Sequence, residues 1–181
     1  MLEMNMELLR TKRLILRRFE DDDFKSLSSL MTDAETMLYT GFKKPQPVEK
    51  IRELLTKWQS EGTSSLGVWA VVQIDSNDFI GWSMLKVTNS DFPELGYMLS
   101  KQKWGMGYAT ELAAAILDHA FSILKFTKVL AVTSANNFAS IRVLEKIGML
   151  RSDENEPGSE SIRYECESDH ISKLDPFEQL T

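Results

Sequence analysis

Hydrophobic and polar positions repeat with two different periods along this chain, and the changes of period outline its elements. Residues 13–19 alternate, with Leu14 and Leu16 on one side and Ile15 and Arg17 on the other. That is the period of a half-buried strand. Acidic residues Glu20 to Asp23 follow, placing negative charge where a helix N-terminus favours it. Phe24, Leu27, Leu30 and Met31 then recur at three- and four-residue spacing, which predicts a first helix. Residues 41–47 read as a loop. A second helix is predicted from Pro47 or Val48 to about residue 60, with Ile51, Leu54, Leu55 and Trp58 on one face and Gly62 just past its end.

The period then shortens. Residues 66–74, 79–87 and 94–99 are three β-rich runs, and the turn residues 75–78 make a hairpin of the first two. Residues 108–121 are helical, with Leu112, Ile116 and Ala120 beside Ala113, Leu117 and Phe121 on a broad apolar face. Residues 127–133 alternate again as a strand. Residues 139–147 predict a helix closed by Gly148. Residues 149–151 and 161–167 read as two last strands, and 169–181 as a tail. With no repeat, low-complexity tract or linker, this is one α/β domain.

Composition narrows the class. The 181 residues are 43% hydrophobic and 27% charged, with nine Gly and five Pro, which excludes a disordered or collagen-like chain. The longest purely apolar run, 112–117, is far short of the roughly 18 residues that a membrane span needs. The N-terminal residues scatter charge among leucines without an apolar core or cleavage site, so no signal peptide is expected. Cys166 is alone, which excludes an intrachain disulfide and any Cys-rich metal site. Two distant histidines, His119 and His170, argue against a His-based zinc site. The expectation is a soluble, cytoplasmic protein without a metal, in which His119 and Cys166 are structural. The net charge of −6 argues against general nucleic-acid binding. Acids cluster at residues 20–23, read as helix-start chemistry, and at Asp153, Glu154, Glu156 and Glu160. The second cluster is either a solvated loop or a field for a cationic substrate.

The most informative stretch is Gln102-Lys103-Trp104-Gly105-Met106-Gly107-Tyr108-Ala109-Thr110-Glu111. It lies between a strand and a helix, with two glycines where the helix begins. Missing β-carbons let the backbone curl and approach a ligand. The first N–H groups of a helix lack internal partners and carry the positive end of its dipole. Such a turn can hold a pyrophosphate; the bare glycines are equally consistent with a tight turn and close helix–sheet packing. Thr110 stands where a dinucleotide fingerprint has a third small residue, and no Gly-Lys-Ser/Thr follows as in a Walker loop.

Three further segments frame this turn: Glu94-Leu95-Gly96-Tyr97, the run from Asn137 through Ser140, Leu144, Glu145 and Lys146 to Gly148, and the opening Leu9-x-Thr11-x-Arg13-Leu14-x-Leu16-Arg17. Together they resemble the GNAT superfamily of acetyl-CoA-dependent N-acetyltransferases, over residues 8–168. The branch most similar is that of the ribosomal-protein N-terminal acetyltransferases, the Rim type.

The resemblance implies a mixed, mostly antiparallel sheet with helices on both faces. It implies that the strand 94–99 splays from its neighbour and holds the pantetheine arm of acetyl-CoA at Met98 and Leu99. The pyrophosphate falls to the backbone of Lys103, Trp104, Gly105, Met106, Gly107, Tyr108, Ala109 and Thr110, with Gln102 at the motif's first position. Asn137 is expected near the pantetheine and Ser140 near the thiol or phosphates, unless Ser140 is a plain helix-start serine. Leu144 stands where many members carry a Tyr that protonates the thiolate, and Met149 replaces the usual Phe.

The reaction implied is acetyl transfer to a primary amine, by direct attack. The ammonium must lose a proton, for which Glu94 is the candidate base, directly or through water. Ser140 is the candidate thiolate donor, though a thiol pKa near 8.5 makes an obligate acid unnecessary. A free backbone N–H on the splayed strand can meet the oxyanion. Glu111 is expected to pack locally rather than meet phosphate. Trp58, Trp69 and Trp82 fall on core-facing periods, whereas Trp104 either covers the cofactor or packs beneath the loop. The branch implies a protein N-terminal α-amine as acceptor. The alternatives are a small amine (polyamine, amino acid or antibiotic), a non-catalytic acyl-CoA-binding module, or an ATP-binding turn. Strand edges at the C-terminal end leave room for a homodimer.

Overall fold

A computed structural model describes residues 7–61, 65–88, 90–154 and 159–171; Gly62, Glu156 and the chain beyond residue 171 lie outside the described residues. The elements run β1 (Glu7–Arg10), β2 (Leu14–Arg17), α1 (Phe24–Thr32), α2 (Ala34–Met37), α3 (Val48–Glu61), β3 (Gly67–Gln73), β4 (Phe79–Val87), β5 (Pro93–Leu99), α4 (Tyr108–Asp118), β6 (Lys128–Ser134), α5 (Phe138–Lys146), β7 (Leu150–Arg151), β8 (Ser161–Glu167) and α6 (Ser168–Ile171). The strands form one eight-stranded sheet in the order β1-β2-β3-β4-β5-β6-β8-β7. Every neighbouring pair is antiparallel except β5 and β6. Those two are parallel because α4 carries the chain back across the sheet between them, as a parallel connection requires.

Helices cover both faces, each over its own core. On one side Leu95, Leu99, Leu112, Ile116, Leu117, Val129 and Leu144 pack α4 and α5 against the sheet. On the other, Leu27, Met31, Met37, Ile51, Trp58, Trp82 and Met98 pack α1, α2 and α3. The tryptophans expected inside are there: Trp58, Trp69 and Trp82 are all buried. Cys166 is buried too, and burial pushes its thiol up to about 11, so it is inert at neutral pH.

The first acidic cluster does what its position suggests. Asp23 caps the turn at residues 21–23 by accepting from the Glu20 N–H at 2.9 Å, and takes both arms of the Arg17 guanidinium at 2.7 and 2.8 Å. Gly148 ends α5 with φ +85°, as the left-handed residue after a helix commonly does.

Some details depart from the periodicity. β1 is an edge strand paired with β2, its Leu8 and Leu9 half-buried against the core and its two end residues exposed; four residues with two adjacent leucines carry no alternation to read. Asp33 starts the separate short helix α2 by accepting from the Thr36 N–H at 2.7 Å. The last helix before β6 continues past Asp118 as a π-helical turn, His119–Ile123. His119 has its Nε2 buried without a hydrogen-bond partner among the described residues, and burial lowers its pKa. No described helix is long and apolar enough to cross a membrane.

Candidate active site

The parallel pair β5–β6 positions the site by failing to stay paired. Its register holds only at Glu94 opposite Leu130 and Leu95 opposite Ala131. Beyond those rungs the strands part, and β5 runs on for four residues with β4 alone. The gap opens into a cavity of about 700 Å³, within the usual range for small-molecule sites. Because it passes between two strands, it reaches both faces of the sheet. Gly81 lets β4 close against this end of β5: a Cβ there would stand 2.1 Å from the Met98 carbonyl oxygen.

At the open end of β5 the chain turns through a short 3-10 segment, residues 101–103, into the glycine turn. Gly105 and Gly107 both adopt left-handed φ, +72° and +78°, and Gly107 is the N-cap of α4. A Cβ at Gly105 would meet nothing within 4 Å, so the turn is open where a ligand would lie. The unpaired N–H groups of α4 face this opening with the positive end of the helix dipole.

Arg13 braces the turn from below. Its Nη1 donates to the Met106 carbonyl at 2.9 Å and its Nε to Glu111 at 2.6 Å. Its guanidinium lies 4.3 Å from the centroid of the Tyr108 ring. Glu111 also accepts from Thr11 Oγ1 at 2.6 Å and from the Arg13 N–H at 2.8 Å. Burial raises its pKa, but these hydrogen bonds outweigh it and hold the carboxyl below the usual range. Glu111 therefore fastens the turn and does not line the cavity. Gln73 completes the brace, donating to Tyr108 Oη at 2.7 Å and accepting from the Lys103 ammonium. Trp104 is half-exposed and its indole N–H donates to the Leu99 carbonyl at 2.8 Å. It both lines the cavity and ties the turn to β5.

Most residues expected at the site meet there. Met98 and Leu99 line the gap; Lys103, Trp104, Gly105, Gly107, Tyr108, Ala109 and Thr110 line its floor; Asn137 and Ser140 line the wall formed by α5. Gln102 and Met106 do not. The Gln102 side chain opens on a separate depression beside α1, with Lys25 and Lys101, and Met106 points outward while its carbonyl serves Arg13. Asn137 is the N-cap of α5: its Oδ1 accepts from the Ser140 N–H at 3.1 Å, which leaves its NH₂ for a ligand. Ser140 is thus a first-turn residue with its hydroxyl free of capping duty.

That hydroxyl lies 3.0 Å from the Tyr97 phenol. Burial raises the Tyr97 pKa, with a smaller opposite pull from Ser140, so the phenol stays protonated at neutral pH. In the sequence Tyr97 is only the end of Glu-Leu-Gly-Tyr; its meeting with Ser140, 43 residues on, is a tertiary fact.

Alternation along β5 sends Tyr97 toward α5 and Glu94, Gly96 and Met98 to the other face. On that face burial pushes the Glu94 carboxyl above the usual carboxylate range, against weaker lowering by Thr88 and Arg163. Thr88 Oγ1 approaches it at 3.5 Å, long for a hydrogen bond. Tyr39, Phe42, Trp82 and Met84 surround the same region. Among the described lining residues Glu94 is the single carboxylate. The described members of the second acidic cluster supply none: Glu160 pairs with Lys43 at 2.7 Å, Glu154 with Arg163 at 2.8 Å, and Asp153 does not line the cavity. Read as a solvated loop, that cluster fits; read as an acidic rim for a cationic amine, its described members do not.

The comparisons agree with this geometry. Residues 13–150 match the family model described as acetyltransferase (GNAT) domain, and the chain belongs to that family. The uncharacterised Bacillus subtilis protein YkkB is 36% identical over 148 residues, 78% of this chain and 84% of its own. A GNAT-family acetyltransferase from Bacillus anthracis superposes with a TM-score of 0.75 at 25% identity, covering 89% of this chain and 98% of that one. Vibrio cholerae spermidine N-acetyltransferase, solved with CoA and spermine, shares the fold with a TM-score of 0.73 at 20% identity over 88% of this chain and 98% of its own. The protein is an N-acetyltransferase, and its family uses acetyl-CoA. The residues present fit that donor: an open glycine turn at a helix N-terminus for the pyrophosphate, and a strand gap for the arm.

The brace predicts a specific defect. Arg13→Met removes the hydrogen bonds to Met106 and Glu111, so the KM for acetyl-CoA rises by about five- to tenfold, the scale of one charged hydrogen bond at a partly exposed site. The kcat at saturating donor changes little. Steady-state kinetics with varied acetyl-CoA checks this; an unchanged KM contradicts the bracing role.

Proposed function

We propose that the protein acetylates a peptide or protein N-terminal α-amine, as in the ribosomal-protein type. The observation that carries this reading is the charge of the cavity: among the described lining residues one half-buried carboxylate, Glu94, stands with Tyr39, Phe42, Trp82 and Met84. An α-amine carries one charge and sits on a body that aromatic and thioether groups can hold. A polyamine carries several charges, each needing a carboxylate or water. The relative named for spermidine shares this fold, and its acceptor is the second reading.

In this scheme acetyl-CoA is the acetyl donor, its pyrophosphate at the 103–110 turn and its arm in the gap between β5 and β6. Glu94 takes the proton of the incoming ammonium, directly or through a water. Its raised pKa brings it closer to that task than an ordinary carboxylate. The backbone of β5 beyond Leu95, free of β6, offers donors to the charge that develops on the thioester oxygen. The Tyr97–Ser140 hydroxyl pair stands on the opposite face and supplies the proton that the departing thiolate takes up. This pair takes the place of the tyrosine that Leu144 replaces. The two proton transfers are thereby separated by the strand, with base on one face and acid on the other. Positioning in the gap contributes the remainder.

The test is competition. Equal concentrations of an apolar N-terminal tripeptide amide and spermidine are incubated with enzyme and acetyl-CoA, and products are read by mass spectrometry. The peptide is expected to gain a single acetyl group at least tenfold faster. Preference for spermidine overturns the peptide reading and leaves acetyl transfer intact.

A further inference from the structure

Glu94 has a neighbour of opposite charge with which it does not pair. In the register of β4 with β5 the residue directly opposite Glu94 is Lys86. Residues so placed carry their Cβ atoms about 4.5–5.5 Å apart on one face of the sheet, and opposite charges there attract. A lysine side chain is long enough to close that gap. The Lys86 ammonium instead lies 2.8 Å from Glu61 Oε2, at the end of α3. The Glu94 carboxyl is left with the long approach of Thr88 Oγ1 at 3.5 Å.

Helix stability does not account for Glu61. It is the last residue of α3, in a turn without a basic residue, where the helix dipole disfavours negative charge. Lys57, one turn back, approaches it at 3.7 Å, so Lys86 is its closer partner. The Lys86 and Glu61 side chains are 28% and 27% exposed, and a partly buried pair is screened less than an open one. The other charged groups on this face have partners of their own. Arg163 of β8 meets Glu154 at 2.8 Å and exerts a weaker pull on Glu94. Glu165 lies in line with Glu94 across Leu130, and Lys128 serves both Glu165 at 3.6 Å and Glu167 at 3.1 Å. The Tyr39 phenol lines the cavity from the loop after α2. With Lys86 held away, burial governs Glu94 and keeps its pKa raised. With Lys86 upon it, the carboxylate would be neutralised, and an ammonium of the chain itself would stand where the acceptor amine must come.

We propose that Glu61 is a positioning residue for the reaction: by holding the Lys86 ammonium against α3, it keeps the Glu94 carboxyl free of an ion pair and open to the acceptor amine. The assignment rests on Glu94 as the base and deepens that reading.

Glu61→Gln keeps the shape and releases Lys86, which then turns to Glu94. The acid limb of the kcat/KM profile moves to lower pH by about one unit or more, the scale of one opposite charge brought into contact. At pH 7, kcat/KM for the better of the two acceptors in the competition above falls about five- to tenfold, because a charged hydrogen bond must first be broken. Lys86→Met alone leaves the limb near its wild-type position. The double variant Glu61→Gln/Lys86→Met returns the limb there, since the intruding ammonium is gone. An unmoved limb in Glu61→Gln overturns the proposal. So does a shift that persists in the double variant, which assigns it to the loss of Glu61's own field. Carbon-13 NMR titration of the Glu94 carboxyl, identified by its loss in Glu94→Gln, reads the same pairing without turnover. Its midpoint is expected to fall in Glu61→Gln and to recover in the double variant; a midpoint that stays put overturns the proposal. A midpoint that moves while the kinetic limb does not supports the pairing and removes Glu94 as the base.

Discussion

Glu94→Gln is expected to lower kcat/KM by about 10²- to 10⁴-fold, the usual contribution of a positioned general base, while leaving the protein at least as stable. The two effects have one cause. Glu94 is the single carboxylate among the described lining residues, and burial raises its pKa. A group whose pKa is raised on folding adds stability that is full below its unfolded pKa and is lost as pH rises through the folded one. At neutral pH the native state therefore holds a charge it would rather have protonated. Glutamine keeps the shape and removes the charge, so the thermal midpoint at pH 7 stays the same or rises. The pH profile supplies a second reading. Wild-type kcat/KM should fall on the acid side with a midpoint above the ordinary carboxylate range, and that limb should vanish in Glu94→Gln, leaving the limb set by the amine itself. A variant that is slow but keeps the acid limb assigns the base elsewhere.

Gly105→Asp is expected to weaken donor binding by roughly a hundredfold without unfolding the chain. Aspartate is among the residues that best tolerate the left-handed conformation, and a Cβ at Gly105 meets nothing within 4 Å. Strain and crowding are therefore small. The new carboxylate stands where the account places the pyrophosphate. At about 6 Å and an effective dielectric near 20, one pair of like charges costs about 2.8 kcal/mol, roughly a hundredfold in affinity. Gly105→Asn has nearly the same shape without the charge and should lose far less. Titration calorimetry with CoA on both variants separates the terms. Equal losses would mean that the backbone turn, and not its field, is what matters.

The order of elements was legible in the sequence because most of them bury one face and carry a clear period. β3 and β4 are linked by the turn that residues 75–78 announce, with Asn77 at φ 58°, and α5 ends at Gly148 as its spacing indicates. β1 and α2 were not legible. β1 is a four-residue edge strand whose half-buried leucines are adjacent rather than alternating, and α2 is one turn started by Asp33. The glycine turn could be read locally because its chemistry is local: two residues without side chains at the start of a helix. What holds it could not. Arg13 and Gln73 reach it from 93 and 35 residues away, at Met106 and Tyr108, and no period records such contacts. The same limit hid the Tyr97–Ser140 pair. It also gave the acidic loop residues a reading that their partners change: only the fold shows that Glu160 and Glu154 are spent on Lys43 and Arg163.

The claim on which all of this rests is that the parting of β5 from β6 and the turn at residues 103–110 together form a site for acetyl-CoA. Thermal unfolding with acetyl-CoA, CoA and ATP in parallel tests it most directly. A ligand of the native state stabilises by about 2.7 kcal/mol at 100 times its Kd. The account predicts a higher midpoint with acetyl-CoA and with CoA and none with ATP. No rise with either CoA ligand at millimolar concentration, or an equal rise with ATP, would contradict it.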